Sequence, residues 1–188
     1  MTPAALLQHC APAIAQVTMA AVVQQESGGN PLALHDNTDG KSYRPASMAE
    51  AAKLARALIA QGHSVDIGLA QINSRNLTGL GMTVEQMLQP CENLRAAQAV
   101  LLDGWKRSGD LRATLSAYNA GQLASPVGVK YGASVYGKAG VTVPAIPGGQ
   151  MARWATVGAA MPPVRPVVTW TPQSSPLSPS GGGLAARW

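Results

Sequence analysis

Apolar positions recur at helical spacing through the first 121 residues, broken by short polar and glycine-rich stretches. Thr2 as a cap and Pro3 at the first helical position predict a short helix to about Cys10. Met19, Val22, Val23 and Glu26 share one face of a second helix, running from about Gln16 or Thr18 to Ser27. Gly28 and Gly29 supply its left-handed stop. Residues 32–46 are rich in turn formers, and "DNTDGKSY" around Asp39-Gly40 predicts a small hairpin. Ser47 and Glu50 have the spacing of a capping box before a helix over "MAEAAKLARALIAQ", closed by Gly62. "SVDIGLAQIN" reads as a strand that turns at Gly68. Thr83 and Gln86 form a second capping box, Asn93 caps a helix to about Trp105, and Asp110 caps "LRATLSAYNAG", ending at Gly121.

These elements predict an α+β, predominantly α domain of five or six helices with a small β or irregular insert, over about residues 1–140. Beyond Gly121 the composition changes. Residues 122–188 hold nine of the fourteen prolines, ten glycines and no acid. Residues 122–140 are expected to close the domain, and 141–188 to be a disordered, basic Pro/Gly-rich tail.

Charge sharpens the division. Residues 1–110 carry a net −1 and residues 111–188 a net +6. The tail's cations are dispersed, unlike those of nucleic-acid-binding arms, so no nucleic-acid partner is expected. No apolar run reaches the roughly 20 residues needed to span a bilayer. "MTPAALLQHCAP" lacks a basic, long-apolar leader, which predicts a cytosolic protein or one whose leader has been removed. Aromatics make up 4% and Phe is absent, so the core must be aliphatic, with Trp105 beside Leu101 belonging to it. Cys10 and Cys91 allow two readings, a pair of buried thiols or one disulfide.

The candidate chemistry centres on "ESGGNP". Glu26 ends a helix on its apolar face, where burial and the helix C-terminal dipole both favour a protonated carboxyl. Such a group is a general acid for a leaving-group oxygen; its alternative is a glutamate that simply reaches water. "GLAQIN" presents the amides Gln71 and Asn73, and "SAYNAG" presents Tyr118 and Asn119 at a helix end. Amides and an aromatic suit a sugar cleft, although each is also ordinary at a surface or helix stop. His9, His35 and His63 lack metal-ligand spacing, and no nucleophile elbow or phosphate loop is present, so neither metal nor cofactor is expected.

Together and in this order, "ESGGNP", "GLAQIN" and "AYNAG" resemble the soluble-type, lysozyme-like lytic transglycosylases. "IGLAQINSRNLTGLG" and Pro90-Cys91 resemble the subgroup associated with type IV secretion and conjugation machines. The resemblance covers about residues 3–137. It implies a lysozyme-like fold and a peptidoglycan substrate cleaved with formation of a 1,6-anhydro sugar. It makes Glu26 the acid/base and Ser27, Gln71, Tyr118 and Asn119 the substrate contacts. It matches a further tyrosine loosely to Tyr131, followed by Val135, with Tyr136 as a competitor. Ala70 stands where the family often has Met, which should alter cleft packing. The substrate implies a periplasmic location, which a Cys10–Cys91 disulfide would fit. The tail is a candidate contact for secretion proteins. Asp66 could support ordinary hydrolysis if it faced Glu26; the alternative is an Asp that bonds local backbone.

Overall fold

The computed structural model of the chain describes residues 3–140; the Thr2 cap and the expected tail over 141–188 lie outside the described residues. Eight helices are present among them: α1 (Pro3–Cys10), α2 (Gln16–Glu26), α3 (Met48–Ala60), α4 (Leu77–Leu80), α5 (Val84–Met87), α6 (Pro90–Ser108), α7 (Leu111–Ala120) and α8 (Pro126–Lys138). Four short strands, β1 (Leu34–Asp36), β2 (Lys41–Tyr43), β3 (Val65–Ile67) and β4 (Ile72–Asn73), form one antiparallel sheet ordered β2-β1-β3-β4. A helical body with this small sheet beside it is a lysozyme-like, mostly-α fold.

Local chemistry explains most boundaries. Gly28 follows α2 at φ 65° and Gly62 follows α3 at φ 86°, conformations that cost glycine little. The Thr83–Gln86 box makes both reciprocal bonds. At α3 only half of the expected box forms. Ser47 accepts from Glu50 N, but the Glu50 carboxylate turns to Ala46 N, one residue early.

Two expected boundaries differ. The helix assigned to begin at Asn93 begins at Pro90, which takes the first helical position because its missing N–H is not needed there. Asn93 thus lies inside α6 and is fully buried. The closing segment after Gly121 contains a full helix, α8, opened by Ser125, whose hydroxyl accepts from Gly128 N. Ser-Pro here repeats the cap-plus-proline signal of Thr2-Pro3 at the start of the helix. Its glycines, at 128, 132 and 137, hid it.

The core is aliphatic, built on Met19, Val22, Leu94, Leu101 and Leu115 with no more than 2% exposure each. Each such side chain contributes about 1.5–3 kcal/mol of burial. Trp105 is half-buried against it. Helix α6 runs through the body, packing on α1 and α7, while α8 packs on α7 and α2.

Two long-range ties supplement the core. Cys10 and Cys91 form a disulfide that joins the end of α1 to the start of α6. In the sheet, Asp36 is fully buried and accepts from His63 Nδ1 at 2.7 Å and from Thr38 N at 2.9 Å. Burial alone would raise this carboxyl's pKa. The His63 bond and the backbone donors of Thr38 and Asp39 outweigh it and hold the group below its ordinary range. Asp36, Asp39 and His63 bring ligand-type atoms within 4.8 Å of one another, a trio that linear spacing did not show. In the fold these atoms already have partners: His63, from the connection between α3 and β3, bonds Asp36, and Asp39 bonds Lys41 within the hairpin at 3.2 Å.

Two outcomes are expected. Replacing both cysteines with serine should lower unfolding free energy by about 4.5 kcal/mol, the loop-closure figure for this separation, measured by urea titration. The depressed pKa of Asp36 means that the unfolded chain binds its proton more readily. Its stabilisation is therefore complete above the ordinary carboxyl range near pH 4 and fades as pH falls through the folded-state value. Asp36→Asn should be less stable than the parent at pH 7, with the gap narrowing as pH falls below the ordinary carboxyl range, measured by urea titration across pH.

Candidate active site

Glu26 is the last residue of α2 and is half-buried. Its Oε1 accepts a 2.6 Å hydrogen bond from the hydroxyl of Tyr131, 105 residues away on α8. Val135, one turn on, is buried at 2% and keeps that face of α8 inward. Tyr136 lies beside Arg112 and Asp110 instead, where burial pushes its phenol pKa up.

Tyr131 is seated by an unusually close helix contact. A Cβ on Gly128 would lie 2.0 Å from Ser116 Oγ and 2.6 Å from Ser116 Cα. Only glycine lets α8 approach α7 this closely. Ser116 Oγ meanwhile donates to Gln122 O and accepts from Ser125 N, fixing the turn between the helices.

Ser27 is buried. Its hydroxyl accepts from Gly29 N at 3.1 Å and lies 3.4 Å from Val23 O, closing the helix end beside Glu26. Gln71 follows the Gly68–Ala70 turn with φ 50°, the left-handed region that costs a non-glycine residue about 1–3 kcal/mol. Its Nε2 donates to Ala33 O and Gly68 O, both at 2.9 Å, which holds that conformation. Its side-chain oxygen is the group left for a ligand.

Asn93, inside α6, is a site residue that the motifs did not indicate. Its Nδ2 donates to Ile67 O and Met87 O, and its Oδ1 accepts from Ala70 N, all at 2.8 Å. It clamps both sides of the Gly68 turn. A Cβ on Gly68 would lie 2.5 Å from Asn93 Nδ2 and from Met87 O, so the turn and the amide require each other. Removing the amide would leave two buried carbonyls and a buried N–H unpaired, at about 1–3 kcal/mol each. Pro90 was the available signal: starting the helix there turns Asn93 inward.

The remaining predicted contacts sit differently from one another. Tyr118 is 3% exposed. Its hydroxyl donates to Ala70 O at 2.7 Å, and its ring stacks on Tyr131 with centroids 6.4 Å apart. It offers the cleft little ring surface and instead ties α7 to the Gly68 turn and to Tyr131. Asn73 is 1% exposed and its Nδ2 donates to Ser64 Oγ and Asp66 Oδ1, both at 2.9 Å, so its amide is engaged internally. Asn119 is half-buried and lines a cavity of about 520 Å³ with His35, Asn37 and Asp66. The structure therefore joins Glu26, Ser27, Tyr131, Tyr118 and the Gly68–Gln71 turn through direct contacts, and sets Asn119 and Asp66 on a separate cavity that Ala120 and Val127 also line.

A half-buried carboxylate fixed by a tyrosine hydroxyl, next to a turn strained to present an amide, can move a proton at a polar ligand. Residues 5–132 match the Transglycosylase SLT domain family, and the chain belongs to that family. It is 41% identical over 123 residues to Protein virB1 of Agrobacterium fabrum, covering 62% of this chain and 50% of that protein. It is 38% identical over 140 residues to Type IV secretion system protein virB1 of Brucella suis biovar 1, covering 70% of this chain and 59% of that one. Protein virB1 of Rhizobium radiobacter is 37% identical over 123 residues, 62% of this chain and 52% of its own length. The chain thus spans between half and three fifths of the length of these relatives. No solved structure matches. Among the described residues, no helix is long and apolar enough to cross a membrane.

Gly128→Ala should push α8 off α7 and withdraw Tyr131 from Glu26. The expected result, with a folded circular-dichroism spectrum, is a loss greater than tenfold of any proton-transfer activity that depends on Glu26. Full activity would show that the close approach does not seat Tyr131.

Proposed function

We propose that the protein is a peptidoglycan lytic transglycosylase, a lyase-type enzyme that opens the cell wall locally for a type IV secretion or conjugation apparatus. The observation that carries the reading is the 2.6 Å bond from Tyr131 to Glu26, in a chain of the SLT family. The Tyr131 proton points at Oε1, so the transferable proton of the acid form sits on Oε2. Glu26 first protonates the glycosidic oxygen between N-acetylmuramic acid and N-acetylglucosamine. The substrate's own N-acetyl oxygen assists at the anomeric carbon, so one protein carboxyl suffices. The ionised Glu26 then removes the proton of the sugar's 6-hydroxyl, which attacks intramolecularly and closes the 1,6-anhydro ring. No water is consumed, and proximity replaces a second protein group.

In this reading Ser27, Gln71 and Asn119 contact the glycan, while Tyr118 and Asn73 act from beneath by holding the groups that touch it. The site works in the periplasm or at the cell wall, where the Cys10–Cys91 disulfide is stable. The tail is the segment proposed to meet secretion proteins.

Glu26→Gln keeps the shape and removes the transferable proton. It should lower release of soluble muropeptides by at least about a thousandfold, taking the upper part of the usual acid–base contribution, with thermal stability preserved. Mass spectrometry of the parent enzyme's digest should show anhydro ends. Reducing ends would instead establish a hydrolytic muramidase, and peptidoglycan binding without release would establish a scaffold.

A further inference from the structure

The cavity lined by His35, Asp66 and Asn119 meets the active-site elements through Asn119, which follows Tyr118, and through Asp66, two residues before the Gly68 turn, and one of its walls carries a row of opposed polar residues. The strand registers pair His35 with Ser42 and with Asp66, and Asp66 with Asn73. Directly opposed residues of antiparallel strands share a face. Ser42, His35, Asp66 and Asn73 therefore form one polar row across all four strands. The two outer members brace the two inner ones. Ser42 Oγ meets His35 Nδ1 at 2.9 Å, and Asn73 Nδ2 donates to Asp66 Oδ1 at 2.9 Å. His35 and Asp66 are the two members that line the cavity, and Asn119 of α7 lines it with them.

We infer that His35 and Asp66 are specificity-determining residues that bind a sugar unit of the glycan strand through its hydroxyl and acetamido groups. With Nδ1 tied to Ser42, the other ring nitrogen of His35 remains for a ligand. The Asp66 carboxylate is an acceptor for hydroxyl and amide N–H donors. Asn119 supplies both a donor and an acceptor from the facing helix. Groups braced from behind lose little freedom when they engage, which is what a selective subsite requires. This assigns Asp66 to binding instead of to a nucleophilic or base role. The inference rests on the glycan-cleaving reading above only for the identity of the ligand.

The test uses the full chain in two measurements. In the first, Glu26→Gln serves as an unreactive background, and chitotetraose binding is measured by isothermal titration. Adding Asp66→Asn or His35→Ala should weaken binding about tenfold, the effect of losing one charged or well-oriented hydrogen bond. In the second, the same changes in the active enzyme should raise KM by a similar factor with kcat within about threefold. Because Asp66 is buried, His35→Ala at its half-exposed position keeps the test open if Asp66→Asn fails to fold. Unchanged affinity and KM in both variants would overturn the inference. So would a hundredfold fall in kcat at constant KM for Asp66→Asn, which marks a catalytic carboxylate. If the row-dependent binding is seen but no anhydro product forms, the subsite stands and the transglycosylase reading falls.

Discussion

The cleft of this protein depends on one buried amide. Asn93 sits inside α6, where a helix interior normally gives a polar side chain no buried partner. Here three backbone groups converge on it: the carbonyl of Ile67 and the N–H of Ala70 from the sheet side, and the carbonyl of Met87 from the end of α5. The Gly68 turn can approach because it has no Cβ. A small sheet of two- and three-residue strands has little stability alone. Clamped to the longest helix, it becomes a fixed wall of the site. Gln71 can then hold a left-handed conformation, and Tyr118 finds a stationary acceptor in Ala70 O.

The opposite wall is built by packing. Helix α8 reaches Glu26 only because Gly128 lies against Ser116 without a side chain between them. Tyr131 then meets both partners at once, its hydroxyl on Glu26 and its ring beside Tyr118. The two walls are thus mechanically linked: Asn93 holds the turn, the turn holds Tyr118, and Tyr118 supports Tyr131. Errors in one would pass to the carboxylate through a short chain of well-packed groups. The disulfide adds a further constraint at the start of α6, two residues before Asn93.

Local signals were readable where they act locally. The capped starts of α3, α5 and α7, the glycine stops, the Asp39-Gly40 hairpin and the strand leading to Gly68 follow from side chains bonding their own neighbours. The motif residues Glu26, Gln71 and Asn119 stood out because polar groups interrupt apolar runs there. Asn93 did not, since an Asn before a helix is ordinarily a cap and its true partners lie 6 to 26 residues away. Nor did α8, whose glycines lower helix propensity and whose purpose is seen only against α7.

The sequence alone determined that the chain is a mostly helical domain with a small sheet, that its core is aliphatic, and that a carboxylate ends a helix next to Ser-Gly-Gly. These follow from periodicity and capping, which operate over a few residues. Only the tertiary structure decided which tyrosine meets Glu26, that Tyr118 and Asn73 face inward, and that Ser42, His35, Asp66 and Asn73 align in one row. Those facts depend on strand register and helix approach. Both are set by packing between segments far apart in the chain, where the identity of a residue says little until its neighbours are in place.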